Sequence, residues 1–80
     1  MTLTRLQQAF VTALRLPPDC EFETLARGRT PEWGSVAHME LVLELEAVFN
    51  VELSGDDVFA LEDYRTSQAI LARHGISSAG

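Results

Sequence analysis

The chain contains no lysine, and none of its six arginines lies between Val36 and Tyr64. Binding a nucleic acid requires clustered cations to neutralise phosphates, so no nucleic-acid partner is expected. An anionic membrane would repel the chain for the same reason. Cys20 is the only cysteine, which excludes an intramolecular disulfide. Within Pro17-Pro18-Asp19-Cys20 it reads as a buried or incidental thiol. No apolar run approaches the ~20 residues of a membrane span, so no membrane insertion is expected. The N-terminus lacks the basic-then-apolar pattern of a signal peptide, and a cytoplasmic location is the default. Neither His38 nor His74 has a partner at metal-ligand spacing, and there is no His-Glu-x-x-His motif. No metal site is predicted. His38, beside a helix start, reads as neutral and structural, while His74 in a last helical turn favours partial protonation.

Acid is abundant. Glu40, Glu44, Glu46, Glu52, Asp56, Asp57, Glu62 and Asp63 lie between Val36 and Tyr64, so this stretch carries −8 and the rest of the chain +2. Such a surface attracts basic protein surfaces. Acids spread along short helices give no cleft for a sugar, which argues against a glycosidase. Ser35 and His38 lack a third orienting group, which argues against a nucleophile–base pair. Eighty residues make one domain, 1–80. Its total stability should be about 4–12 kcal/mol, which leaves little for a deep preformed pocket. The chain is not expected to be an enzyme, and monomer is the default.

Helical spacing of Leu3, Leu6, Phe10, Ala13 and Leu14 predicts a first helix over 3–14, capped by Thr2 or Thr4 and stopped by Pro17-Pro18. Residues 16–34 form a long connection holding all three prolines. Wrapping explains such a length better than function does, with a turn near 23–26 placing Leu25 in the core. A second helix is predicted from Ser35 or Val36 to Phe49, with Asn50 as its stop. A short third helix follows Ser54, with Ser54 and Asp57 at capping-box spacing and Val58, Phe59 and Leu61 as its apolar contacts. A fourth starts at Asp63 and runs to His74, ended by Gly75 with Ile76 packing back. Ser77 to Gly80 reads as a frayed tail. The fold class is all-α: a small bundle of three longer helices and one short third helix.

The second helix carries two apolar stripes. Leu41, Val42, Leu45, Val48 and Phe49 form a core stripe. Val36, Met39, Leu43 and Ala47 recur on roughly the opposite side, flanked by Glu40, Glu44 and Glu46. The second stripe either packs under the loop or third helix, or is an exposed docking strip with an acidic rim.

The run Trp33-Gly34-Ser35-Val36-Ala37-His38-Met39-Glu40-Leu41-Val42-Leu43-Glu44-Leu45-Glu46, followed by Phe49, Val51, Glu52 and Leu53, resembles the acyl carrier protein family. The likeness extends over nearly the whole chain, including the long proline-containing loop and Leu61 with Tyr64. It is closest to stand-alone carriers with a Trp-Asp-Ser-Val or Trp-Asp-Ser-Leu motif followed by His-Met. The resemblance implies that Ser35 is esterified by 4′-phosphopantetheine from coenzyme A, whose thiol holds an acyl or aminoacyl group as a thioester. It also implies docking through Val36, Met39, Glu40, Leu43, Glu46 and Ala47. The implied partners are a phosphopantetheinyl transferase and enzymes that activate and transfer acyl or aminoacyl groups. The implied setting is fatty-acid or secondary-metabolite biosynthesis.

Gly34 departs from the family's aspartate before the serine. The aspartate meets basic residues of the transferase, a contact worth ~1–3 kcal/mol when well formed. Glycine also loosens the backbone there. The alternative is therefore an unmodified carrier-like interaction module in which Gly34 prevents or weakens loading. Taken without the family, Ser35 reads as a helix N-cap.

Overall fold

Three threonine, serine and aspartate caps set where the helices begin. In the computed structural model, which describes residues 2–77, Thr4 accepts from the Gln7 amide, and the Gln7 side chain returns the bond to the Thr4 amide. This reciprocal box starts α1, Arg5–Leu14. Ser54 and Asp57 form the same box at α3, Gly55–Ala60. Asp63 caps α4, Tyr64–Arg73, through the Thr66 amide. The longest helix, α2, Ser35–Phe49, has Gly34 at its N-cap and therefore no side-chain cap. Each satisfied cap contributes about 1 kcal/mol, because the first turn of a helix leaves its amides without partners.

The helix ends follow different rules. α1 stops at Leu14 because Arg15 turns left-handed at φ 56°, two residues before Pro17. The prolines were expected to stop the helix; instead they follow an existing stop. Asn50 ends α2 in the same left-handed conformation, at φ 54°. Asparagine tolerates this region better than most residues, so its place here is physical. Gly75 turns left-handed after α4, and the Ile76 amide reaches back to the Leu71 carbonyl at 3.0 Å. From Ser78 onward, the expected frayed tail lies outside the described residues.

The connection between α1 and α2 wraps the core. A 3-10 turn, Phe22–Thr24, places Phe22 and Leu25 inside. Leu16 and Trp33 are also buried. The Arg27 amide donates to the Glu62 carbonyl at 2.7 Å, and Ala26 pairs with Asp63 in an isolated antiparallel bridge. Phe10 then meets Trp33 edge-on at 5.5 Å and Tyr64 at 5.3 Å, while Phe22 lies 5.5 Å from Tyr64. These aromatics join α1, the wrapping loop and α4 around one core. Among the described residues there are four α-helices and no strand, so the chain is all-α. Residues 50–53 are irregular.

Phe59 corrects one expectation. It was assigned to the apolar contacts of α3, yet it is 72% exposed, while Leu61 is fully buried and Val58 partly so. A six-residue helix makes fewer than two turns. It can present only a narrow face to the core.

Candidate functional site at the start of the second helix

Ser35 is the first residue of α2 and is exposed. It does not cap the helix, because the cap position belongs to Gly34, whose carbonyl accepts the His38 amide at 2.9 Å. No hydrogen bond among the described residues engages the Ser35 hydroxyl. The amides of the first turn of α2 have no side-chain cap. They point out of the helix end with the positive pole of its dipole, an arrangement that suits an anion. Gly34 has an ordinary extended conformation, φ −90° and ψ −171°, and a Cβ built there would meet nothing within 4 Å. The loosening expected from glycine is therefore not a conformational requirement of this backbone.

Two open grooves meet at Ser35. One, about 560 Å³, lies between the end of α1 and the start of α2 and includes Ala13, Leu14, Arg15, Glu32, Ala37 and Glu40. The other, about 550 Å³, lies toward the loop and includes Arg27, Trp33, His38 and Met39. Gly34 and Ser35 line both.

The two stripes of α2 separate as expected. Leu41, Val42, Leu45 and Phe49 are buried, with Val48 half-buried. Val36 is 74%, Met39 50% and Leu43 62% exposed, and Ala47 is exposed as well. The second stripe is thus not covered by the loop or by α3. Glu40 stands exposed beside it. Glu46 is different. It is half-buried, and its carboxylate accepts the Leu53 amide at 2.9 Å. Its first task is to fasten the segment after α2, which the sequence reading missed.

Not all eight acids form a free acidic surface. Asp57 is buried, and its carboxylate meets Arg73 at 3.1 Å and His74 at 2.9 Å. The His74 hydrogen bond, with that from the Ser54 amide, holds its carboxyl below the usual carboxylate range, against the opposing effect of burial. Asp63 is committed to the α4 cap. Glu40, Glu52, Asp56 and Glu62 are the exposed members.

His38 is buried at the centre of a polar hub below the second groove. The Trp33 indole N–H donates to His38 Nδ1 at 3.0 Å, with the rings stacked. An indole can only donate, so Nδ1 accepts and the ring proton sits on Nε2. Nε2 lies 2.9 Å from the Val58 carbonyl, to which that proton is directed. Arg27 packs against the same nitrogen at 2.9 Å and donates to the Phe59 carbonyl at 3.0 Å. The hub therefore joins the loop, α2 and the C-terminal end of α3. Only the His38-structural expectation was legible in the sequence; Arg27 gave no signal, because its partners are backbone carbonyls far along the chain.

Cys20 is half-buried, and burial, together with the charge of Asp19, raises its thiol pKa. A raised pKa reduces the reactive thiolate. Among the described residues no cluster of His, Cys, Asp and Glu could hold a metal ion, and no helix is long and apolar enough to cross a membrane. No family model, curated protein or solved structure matches this chain.

Proposed function

We propose that the protein is an acyl-carrier-like domain that carries acyl or aminoacyl groups on 4′-phosphopantetheine attached to Ser35. The single observation that carries this reading is the state of Ser35. Its hydroxyl is exposed and uncommitted at the mouth of α2, where two grooves meet. A serine needed for structure would be capping the helix, and this one is not. The family resemblance of the surrounding residues supports the same reading.

The residues fit the group. In the loading step the Ser35 hydroxyl oxygen forms a bond to the phosphorus next to the pantetheine of coenzyme A. The pyrophosphate bond breaks, adenosine 3′,5′-bisphosphate leaves, and the hydroxyl proton passes to a base of the transferase. The uncapped amides of α2 and its dipole favour the anionic phosphodiester that results. Once attached, the arm supplies a terminal thiol for cargo. The chain itself needs no acid, base or nucleophile for acyl transfer, because partner enzymes provide them. The exposed strip of Val36, Met39, Leu43 and Ala47, with Glu40 on its rim, is the docking surface for the transferase and for acyl-handling enzymes; Glu46 stands at its edge. Tethering raises the effective cargo concentration at each enzyme into the millimolar range for a short flexible link.

Intact mass after incubation with coenzyme A and a promiscuous phosphopantetheinyl transferase tests this. The expected result is a gain of one phosphopantetheine that disappears in Ser35→Ala. A gain only in Gly34→Asp would favour the unmodified interaction module. No gain in either chain would end the carrier reading.

A further inference from the structure

Only one end of the Arg27 guanidinium has an acceptor. Its Nη2 donates to the Phe59 carbonyl at 3.0 Å, while its Nη1 lies 2.9 Å from His38 Nε2. The second contact is not a hydrogen bond. The Trp33 indole donates to His38 Nδ1, so Nε2 carries the ring proton and directs it to the Val58 carbonyl. A guanidinium has donors and no acceptor. Nη1 therefore faces an N–H, and no hydrogen bond among the described residues gives it an acceptor.

This mismatch stands beside Ser35. Arg27, Trp33, His38 and Ser35 line one groove of about 550 Å³. Ser35 and His38 are three residues apart in the first turn of α2. That spacing puts two side chains on one helix face, with Cβ atoms about 5–6 Å apart. Resting on the carrier reading, we propose that Arg27 is the positioning residue at the root of the arm: its Nη1 turns from the His38 N–H to the phosphodiester on Ser35. The phosphodiester offers the acceptor oxygens and the negative charge that the hub lacks, and a guanidinium–phosphate hydrogen bond is charge-assisted. His38 then keeps its Nε2 proton for Val58 without a second donor against it. Arg15 also borders Ser35, from the α1 side, but its side chain is exposed and makes no hydrogen bond or ion pair among the described residues. Ordering such a side chain costs rotamer freedom, whereas Arg27 is already fixed by the Phe59 carbonyl. With Nη2 still on that carbonyl, the clasp links the modified serine to the end of α3.

The test loads Ser35 with phosphopantetheine, to completion by mass, in the parent, Arg27→Gln and Arg15→Gln chains. Loading should raise the melting temperature of the parent roughly 1–8 °C more than that of Arg27→Gln, a span set by a partly exposed ion pair in a domain of this size. Arg15→Gln should keep the full gain, and high salt should shrink it. In the unsubstituted parent, loading should also shift the NMR signals of the Arg27 guanidinium, a readout that does not depend on the folding of any variant. Equal gains in the parent and Arg27→Gln, or Arg27 signals unchanged by loading, would overturn the assignment while leaving the carrier reading intact. Loss of the gain in Arg15→Gln in place of Arg27→Gln would put the phosphate on the α1 side and overturn it as well. Failure of the parent to load would remove the carrier reading and this inference with it.

Discussion

At the residue scale, Gly34 and His38 bear opposite relations to their surroundings. Gly34 occupies an N-cap without a side-chain hydrogen bond, in a conformation any residue can adopt, with open space where a Cβ would go. Gly34→Asp should therefore add about 0.3–1 kcal/mol to unfolding free energy, through a side-chain cap and a favourable dipole contact. Urea denaturation measures this, and a destabilised variant would contradict it. On the carrier reading, the same change should also speed loading of Ser35. His38 is irreplaceable by shape alone. Its two nitrogens serve the Trp33 indole and the Val58 carbonyl. His38→Leu strands a buried donor and an acceptor, at a cost of roughly 1–3 kcal/mol per stranded group. Chemical denaturation followed by Trp33 fluorescence reports both the loss and the changed environment of the indole.

At the scale of elements, α3 is the one held from outside. With six residues it has little helical stability of its own. Side chains from elsewhere secure it at both ends. Asp57 in its first turn is tied to Arg73 and His74 at the end of α4. At its other end, His38 and Arg27 serve the Val58 and Phe59 carbonyls. Asp57→Asn should thus loosen α3 before the other helices, seen as faster amide exchange at Val58 and Leu61. The pH dependence follows from sign. The carboxyl of Asp57 is held below its usual range in the folded chain. Such a group stabilises the fold fully above its unfolded value, roughly 3.9, and this contribution is lost as pH falls through the lower folded value. Stability measured from pH 5 down to 2 should fall, and fall less steeply in Asp57→Asn. Equal slopes would mean that Asp57 is not tied as described.

At the scale of the whole molecule, α2 has a buried side and an exposed side. Leu43 and Leu45 are two residues apart on one helix, yet Leu45 is 1% exposed and Leu43 62%. Leu45→Ala should cost about 2–5 kcal/mol, a large share of a total near 4–12 kcal/mol. Leu43→Ser should leave thermal unfolding nearly unchanged. On the carrier reading, Leu43→Ser and Glu40→Lys should each lower kcat/KM of the loading reaction several-fold. The Glu40→Lys loss should shrink at high salt, since steering by charge is screened. Unchanged loading by both variants would place the docking surface elsewhere.

The positions of the helices, their caps and the separation of the α2 stripes were legible in the sequence because each is a local property. Capping boxes span three residues and helical periodicity spans a few turns, so Thr4, Ser54, Asp57 and Asp63 announce themselves. Left-handed Arg15 was not legible, because the prolines just after it offered a plausible but later stop. Exposed Phe59 was missed for a different reason: a short helix buries only what its neighbours can reach. Ser35 could be located by its motif, but whether its hydroxyl caps the helix or stands free depends on where the helix begins by one residue. The hub of Arg27, Trp33 and His38, the ties of Asp57 and Glu46, and the two grooves at Ser35 were decided by tertiary structure alone. They join groups from different elements, and only the packed core brings those groups within hydrogen-bonding distance.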